Sequence, residues 1–269
     1  MLASLIIGIV IGTVMGLTGA GGGILAVPAL VATMGWSMQQ SGPVAMIAVG
    51  CSAAIGALEG FRRGLVRYRA ALLMALVGIP FTGAGNLLAQ RLSQPVLMLL
   101  FAGVMLFAAW RMWHHSMQKH EAECVDSARK AGQLHPETGR FVWTLPTLLL
   151  VGTIGALTGL MSGLLGVGGG FVIVPMLRRY TNVSMHGIVA TSLFLIALVS
   201  CGTVGMAIWH GTELPYAFCL YFAAATGIGV LSGRFFSRHM PENRVQQGFA
   251  LVLIFVAIAL IVEAGARIV

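Results

Sequence analysis

The chain has 269 residues, of which 58% are hydrophobic and 9% are charged, whereas about a quarter of the residues of a soluble domain are charged. The net charge of +8 could indicate a nucleic-acid partner, but the basic residues are scattered at the ends of apolar runs. Composition therefore excludes a soluble domain and nucleic-acid binding. It predicts an all-α polytopic membrane protein surrounded by the lipid bilayer.

Ten apolar segments follow one another along the chain. They cover approximately residues 2–20, 23–35, 43–61, 70–90, 95–113, 143–165, 171–180, 187–209, 214–236 and 245–265. Because no basic region or cleavage site precedes the first segment, we expect a first span and not a signal peptide. A helix needs about 20 residues to cross a bilayer, so segments 23–35 and 171–180 are too short to cross fully. We predict that each forms a broken or re-entrant pair with the preceding segment, and that three ordinary transmembrane helices follow each pair.

Two glycine-rich stretches are copies of one another. Residues 16–30 have the sequence GLTGAGGGILAVPAL and residues 163–177 have GLLGVGGGFVIVPML, at an offset of 147 residues without a gap. Self-similarity at a fixed offset indicates a duplicated unit. We therefore predict a first membrane repeat at 1–113, a hydrophilic linker at 114–142 and a second membrane repeat at 143–269.

Each triple glycine lies within an apolar run and predicts a broken helix, because glycine tolerates positive φ angles and lets amides approach a ligand closely. A helix that begins just after each break, near Ile24 and Phe171, would direct its positive end at an anion. Paired interruptions are typical of a transporter's binding site. The predicted substrate-binding glycines are Gly21, Gly22, Gly23, Gly168, Gly169 and Gly170, with Pro28 and Pro175 as structural residues that fix the half-helices. The alternative is that these glycines only allow close helix packing.

The distribution of arginines predicts the orientation of the chain. Residues 61–69 carry four arginines, and Lys and Arg collect in cytoplasmic loops. The corresponding residues 208–216 carry no Lys or Arg, which favours the opposite side. With this orientation, 14 of the 16 basic residues fall inside, all except Arg91 and Arg267. The pattern predicts two repeats of inverted orientation, a cytoplasmic linker and both termini outside.

No motif of an enzyme or of a cofactor site is present in the sequence. The chain lacks GxxxxGK[ST], HExxH and GxSxG, and the glycine clusters fail GxGxxG because Ile24 and Phe171 occupy its last position. Four of the seven histidines lie in the linker without a defensible metal-site spacing, and the four cysteines form no CxxC. We predict that the protein is not an enzyme and has no cofactor or metal.

Polar side chains within the apolar segments are candidate pathway residues, because burying them in a bilayer is costly. Ser52, Thr191 and Ser192 are the predicted hydroxyl donors to the substrate. Thr18, Cys51, Ser162 and Ser200 are further candidates. As an alternative, Ser and Thr bond helix backbone in membranes without any functional role. Glu59 could carry a coupled proton, and an ion pair with the neighbouring arginines is the alternative.

A short motif after the second glycine stretch completes a pattern shared with a known family. The pattern consists of G-L-T-G-A-G-G-G-x-x-x-V-P-x-L at 16–30, G-L-L-G-V-G-G-G-x-x-x-V-P-x-L at 163–177 and Ala-Thr-Ser-Leu at 190–193. In these residues the chain resembles the sulfite exporter TauE/SafE family of membrane transporters. The first repeat departs from the pattern, because residues 44–46 are Val-Ala-Met. The resemblance implies a bacterial inner-membrane carrier for sulfite, sulfonates or related anions, driven by an ion gradient.

The leading hypothesis is a secondary transporter of a small sulfur-containing anion. Its central site would lie between the two glycine-rich breaks. No Lys or Arg occupies the middle of a segment, so amides, helix ends and hydroxyls would hold the anion. An anion channel is the first alternative. A membrane scaffold that does not transport and docks partners through the linker is the second, and the sequence leaves the oligomeric state open.

Overall fold

The computed structural model describes residues 2–18, 23–117, 144–181, 183–209, 216–237 and 242–266. Within these residues the chain forms a series of helices. They are α1 (Leu2–Thr18), α2 (Ala26–Met34), α3 (Met38–Arg62), α4 (Tyr68–Arg91), α5 (Gln94–Met117), α6 (Leu145–Leu165), α7 (Gly170–Tyr180), α8 (Met185–Trp209), α9 (Tyr216–Ser237) and α10 (Glu242–Ala266). A 3₁₀ turn at 23–25 precedes α2. Each predicted apolar segment therefore contains one helix.

Six stretches of these helices are long and apolar enough to cross a membrane. They are Met38–Arg62, Tyr68–Arg91, Gln94–Met112, Leu145–Leu165, His186–Gly205 and Gln247–Ala266. Shorter apolar helical stretches cover Leu5–Thr18, Gly23–Met34 and Ala217–Gly233. The helical content and these spans confirm an all-α polytopic membrane protein.

The helix boundaries recur at the spacing of the glycine-rich stretches. Helices α3 and α8 are both 25 residues long, and their first residues, Met38 and Met185, are 147 positions apart. The same offset separates Thr18 and Leu165, the last residues of α1 and α6. The repeat and linker boundaries remain predictions: α5 continues to Met117, and the predicted linker lies mostly in residues 118–143, outside the described residues.

A serine caps the start of the long helix that follows each short helix. Gly35, at φ 65°, ends α2, and its N–H donates to the carbonyl of Val31 at 3.0 Å. Ser37 then starts α3, because its hydroxyl accepts from the Gln40 N–H at 3.2 Å. At the equivalent position in the second half, the Ser184 hydroxyl accepts from the Gly187 N–H at 3.3 Å. Each serine satisfies a backbone donor that the new helix leaves unpaired.

Helices of one half pack on helices of the other half. Helix α1 packs against α9 and α4 packs against α6, while α3 contacts α8 and α5 contacts α10. Glycines allow the first two pairs to approach at backbone distance: a Cβ atom at Gly159 would lie 2.1 Å from the carbonyl oxygen of Gly78. A Cβ atom at Gly12 would lie 2.1 Å from the carbonyl oxygen of Thr226. The two halves are therefore interlocked by close helix packing.

The equivalent helices α3 and α8 run in opposite directions where they cross. Gly50 lies against Ser200, and Gly60 lies against Ala190, so residue numbers rise along one helix as they fall along the other. By contrast, α1 and α9 run in the same direction, because Gly8 faces Ala225 and Gly233 faces Thr13. The crossing of α3 and α8 forms the centre on which the two breaks lie.

Candidate functional site

The two helix breaks meet at the crossing of α3 and α8. A Cβ atom at Gly23, at the end of the first break, would lie 3.0 Å from Cγ1 of Val49 and 3.3 Å from the carbonyl oxygen of Val167. A Cβ atom at Gly168, in the second break, would lie 3.6 Å from the same Val49 atom and 3.0 Å from Cγ2 of Ile196. Val49 and Ile196 occupy equivalent positions of the two halves, and between them they contact both breaks.

The second break is built on glycines with positive φ. Gly166, at φ 68°, ends α6, and its N–H donates to the Ser162 carbonyl at 2.8 Å. Gly168 and Gly169 follow at φ 77° and 67°, and α7 starts at Gly170. The Gly169 carbonyl accepts from the N–H groups of Val172 and Ile173 at 3.0 and 3.3 Å. The first amides of α7 precede these bonds, and such amides are the donors that helix N-termini offer to anions.

The structure describes four of the six glycines that were predicted to bind the substrate. Gly23, Gly168, Gly169 and Gly170 lie at the breaks as predicted, while Gly21 and Gly22 lie outside the described residues. The observed helix starts at Ala26 and Gly170 lie near the predicted positions Ile24 and Phe171.

The second break leaves no room for a side chain at Gly166 or Gly169. A Cβ atom at Gly169 would lie 2.4 Å from Cγ2 of Thr158 and 2.9 Å from its carbonyl oxygen. A Cβ atom at Gly166 would lie 2.6 Å from Cα of Gly42. These glycines therefore serve close packing as well as backbone shape, as the packing alternative expects.

Buried hydroxyls near the breaks lack hydrogen-bond partners. Among the described residues, no partner is found for the hydroxyls of Ser41, Ser52, Thr158 and Ser200, all of which are buried. Ser52 lies one turn after Val49 on α3, and Thr158 packs against Gly169. A buried polar atom without a partner costs about 1–3 kcal/mol, so a polar ligand at the breaks would recover this energy.

These hydroxyls are not duplicated in the two halves. The positions equivalent to Ser52, Thr158 and Ser200 hold the apolar residues Val199, Ile11 and Ala53. The duplicated backbone is thus lined by an asymmetric set of side chains. Sequence analysis identified Ser52 and Ser200 as candidates but missed Thr158 and Ser41. The available signal for Thr158 was its position next to Gly159, which is repeated as Gly12.

Thr191 and Ser192 use their hydroxyls within the fold. The Thr191 hydroxyl donates to the Gly187 carbonyl at 2.7 Å and accepts from the Arg67 N–H at 3.0 Å. The Ser192 hydroxyl donates to the Ile188 carbonyl at 2.8 Å. Thr191 thus connects the arginine-rich loop to α8. In the part of the breaks that the structure describes, neither hydroxyl has a hydrogen bond to a break residue. These bonds match the alternative interpretation, in which such hydroxyls bond the helix backbone.

Glu59, Pro28 and Pro175 lie on α3, α2 and α7. Glu59 forms an ion pair with Arg63 at 2.6 Å, and both side chains are exposed. This is the i, i+4 pair expected on a helix surface. Pro28 is the third residue of α2 and Pro175 the sixth of α7, so each proline lies shortly after a break.

A bundle of apolar spans in which two interrupted helices meet at a buried centre is the architecture typical of polytopic membrane transporters. The particular family follows from comparison with known proteins. The model of the Sulfite exporter TauE/SafE family matches residues 4–260, and the chain therefore belongs to this family.

Curated relatives support the same class. A probable membrane transporter protein of Xylella fastidiosa (strain 9a5c) is 29% identical over 273 residues, which cover 96% of this chain and 94% of the relative. The probable membrane transporter protein YunE of Bacillus subtilis (strain 168) is 27% identical, with 96% of each chain covered. The probable membrane transporter protein MamO of Magnetospirillum gryphiswaldense is 22% identical and is covered over 43% of its length. No solved structure matches. The protein is an integral membrane transporter and not an enzyme, and its bacterial relatives fit the predicted inner-membrane location.

Proposed function

We propose that the protein is a secondary transporter that moves a small sulfur-containing anion, such as sulfite or an organosulfonate, driven by an ion gradient. The convergence of both helix breaks on Val49 and Ile196 carries this proposal. It supports a single central site that lies between the two halves. The family description supports sulfite or a related oxyanion as the substrate.

The donors at the breaks favour an anion over a cation or a neutral solute. Helix α7 directs its first amides, with a partial positive charge, at the second break. The hydroxyls of Ser52 and Thr158 add donors without a fixed charge. Such a site binds an anion through several modest hydrogen bonds, which suits both uptake and release.

Inverted repeats are the second part of the proposal. The opposite directions of the equivalent helices α3 and α8 support it, as does the contrast between the basic loop 61–69 and the loop 208–216. In this arrangement the linker 114–142 is cytoplasmic and both termini are outside. Inverted halves can exchange inward-open and outward-open states by rocking about the central site.

The inverted topology predicts opposite labelling of two equivalent loops. In a background with Cys51, Cys124, Cys201 and Cys219 replaced by serine, Arg67→Cys should react with an impermeant maleimide only from the cytoplasmic side. Thr212→Cys should react only from outside. Labelling of both positions from the same side in intact cells and inverted vesicles would rule out inverted repeats.

Flux measurements test the function itself. Proteoliposomes with purified protein should take up labelled sulfite with saturation, and preloaded sulfite should accelerate the exchange. The accelerated exchange, or counterflow, distinguishes a carrier from an anion channel, which conducts without saturable exchange. An imposed pH gradient tests proton coupling, and Glu59→Gln tests whether Glu59 carries the proton. Absence of flux for sulfite, sulfoacetate and sulfate would overturn the proposal.

Removal of the buried hydroxyls should weaken substrate binding. Ser52→Ala and Thr158→Val should each raise the sulfite concentration for half-maximal flux about tenfold, because a hydrogen bond to a charged group contributes roughly 1.5–3 kcal/mol. Thr226→Val is the matched control: Thr226 is buried, but its hydroxyl already donates to the Phe222 carbonyl at 2.7 Å. An equal effect in all three variants would show that the hydroxyls act only through stability.

A further inference from the structure

An arginine of α5 reaches the half-helix that follows the second break. Nη2 of Arg111 donates to the carbonyl oxygen of Pro175 at 3.3 Å. Arg111 lies next to the end of the apolar stretch Gln94–Met112, and Pro175 lies in the middle of α7. The guanidinium has five N–H donors, so a single bond to a carbonyl leaves most of its donors available.

A second arginine lies on the same face of α7. Arg179 follows Pro175 by four residues, which places it one turn further along the same face of α7. Because Arg111 bonds to the Pro175 carbonyl, both arginines approach the same end of α7. Neither forms a salt bridge with a carboxylate in the part of the chain that the structure describes. Two adjacent guanidinium groups repel one another unless an anion lies between them.

The architecture of the repeat does not require this pair. At the equivalent positions of the other half the sequence has Ile258 for Arg111 and Ala32 for Arg179. The packing of the two halves is otherwise matched, as with α1 on α9 and α6 on α4. The inverted orientation of the repeats accounts for basic residues on one side only, but not for the bond from Arg111 to the Pro175 carbonyl.

We propose that Arg111 and Arg179 together bind an oxyanion at the end of α7. Guanidinium forks match the oxygens of sulfonate and phosphate groups, and an anion between them would relieve their repulsion. The ligand could be the transported anion at the inner mouth or the phosphate of an anionic phospholipid headgroup, since both present the same oxygens. Because α7 carries the second break at its other end, occupancy of this site would hold the half-helix against α5.

The test compares four variants with the wild type in two binding assays that do not depend on flux. In phosphatidylcholine nanodiscs, methanesulfonate binding is measured by the thermal shift. In detergent, retained phosphatidylglycerol is measured by native mass spectrometry. The site variants are Arg111→Gln, Arg179→Gln and Arg111→Lys, and Arg63→Gln is the control, because Arg63 already has Glu59 as its partner. Binding of a probe at the central site should be the same in the wild type and in all four variants.

Binding of at least one probe should weaken about tenfold in Arg111→Gln and Arg179→Gln and stay at the wild-type level in Arg63→Gln. Arg111→Lys, which keeps the charge but not the fork, should fall in between and shows that the loss is not a folding defect. A loss confined to methanesulfonate identifies the transported anion as the ligand, and a loss confined to phosphatidylglycerol identifies the lipid. Unchanged binding of both probes, or an equal loss in Arg63→Gln, would overturn the proposal even if sulfite transport is confirmed.

Discussion

Gly159→Ala should prevent stable folding, whereas Gly152→Ala on the same helix should not. A Cβ atom at Gly159 would lie 2.1 Å from the carbonyl oxygen of Gly78, while carbon and oxygen normally approach to about 3.3 Å. The methyl group must therefore separate α6 from α4 by about 1 Å, and the contacts along the whole pair weaken. We expect a loss of about 3 kcal/mol or more.

Gly152 provides the matched control because no atom lies within 4 Å of a Cβ placed there. Gly152→Ala should be neutral or stabilise the protein by up to about 1 kcal/mol, since alanine favours helix. Fluorescence-detected gel filtration after heating gives the apparent melting temperature of each variant. Equal melting temperatures for Gly159→Ala and Gly152→Ala would show that the close approach of α4 and α6 does not stabilise the fold.

The positions of the helices along the chain could be predicted from the sequence, but the helix against which each one packs could not. Apolar runs and the glycine breaks indicated the helices that the structure describes, and the caps at Ser37 and Ser184 follow common local rules. The packing of α1 on α9 has no such signal, because lipid and protein both favour apolar side chains. The glycines at 155, 159 and 163 were the available sign of a packing face, and they carry no information on which helix is the partner.

For the candidate site, the sequence likewise could not show which hydroxyls face the helix breaks. Thr191 belongs to the family motif, yet its hydroxyl bonds the Gly187 carbonyl and the Arg67 amide. Thr158 lies outside the quoted motifs, yet its buried hydroxyl has no partner among the described residues and its side chain contacts Gly169. Sequence shows which helices carry hydroxyls, whereas the orientation of each one depends on tertiary packing.

Gly169→Ala should abolish most of the transport activity while Gly35→Ala retains it. Both glycines have positive φ, at 67° and 65°, so alanine adds a similar backbone strain of roughly 1–2 kcal/mol at each position. They differ in their surroundings: a Cβ at Gly35 meets nothing within 4 Å, whereas a Cβ at Gly169 would lie 2.4 Å from Cγ2 of Thr158. The break must therefore shift in Gly169→Ala only, and its amides move away from the proposed substrate position.

Loss of one amide bond to a charged substrate should lower sulfite uptake between about ten- and 100-fold. The measurement is initial uptake into proteoliposomes, normalised to folded protein by gel filtration. The double variant Gly169→Ala with Thr158→Ser removes the methyl group that the new Cβ meets and keeps the hydroxyl, so part of the activity should return. Full activity of folded Gly169→Ala would exclude the second break from the transport path. Recovery in the double variant would show that the altered shape of this break causes the defect, and therefore that the backbone at Gly169 takes part in substrate binding.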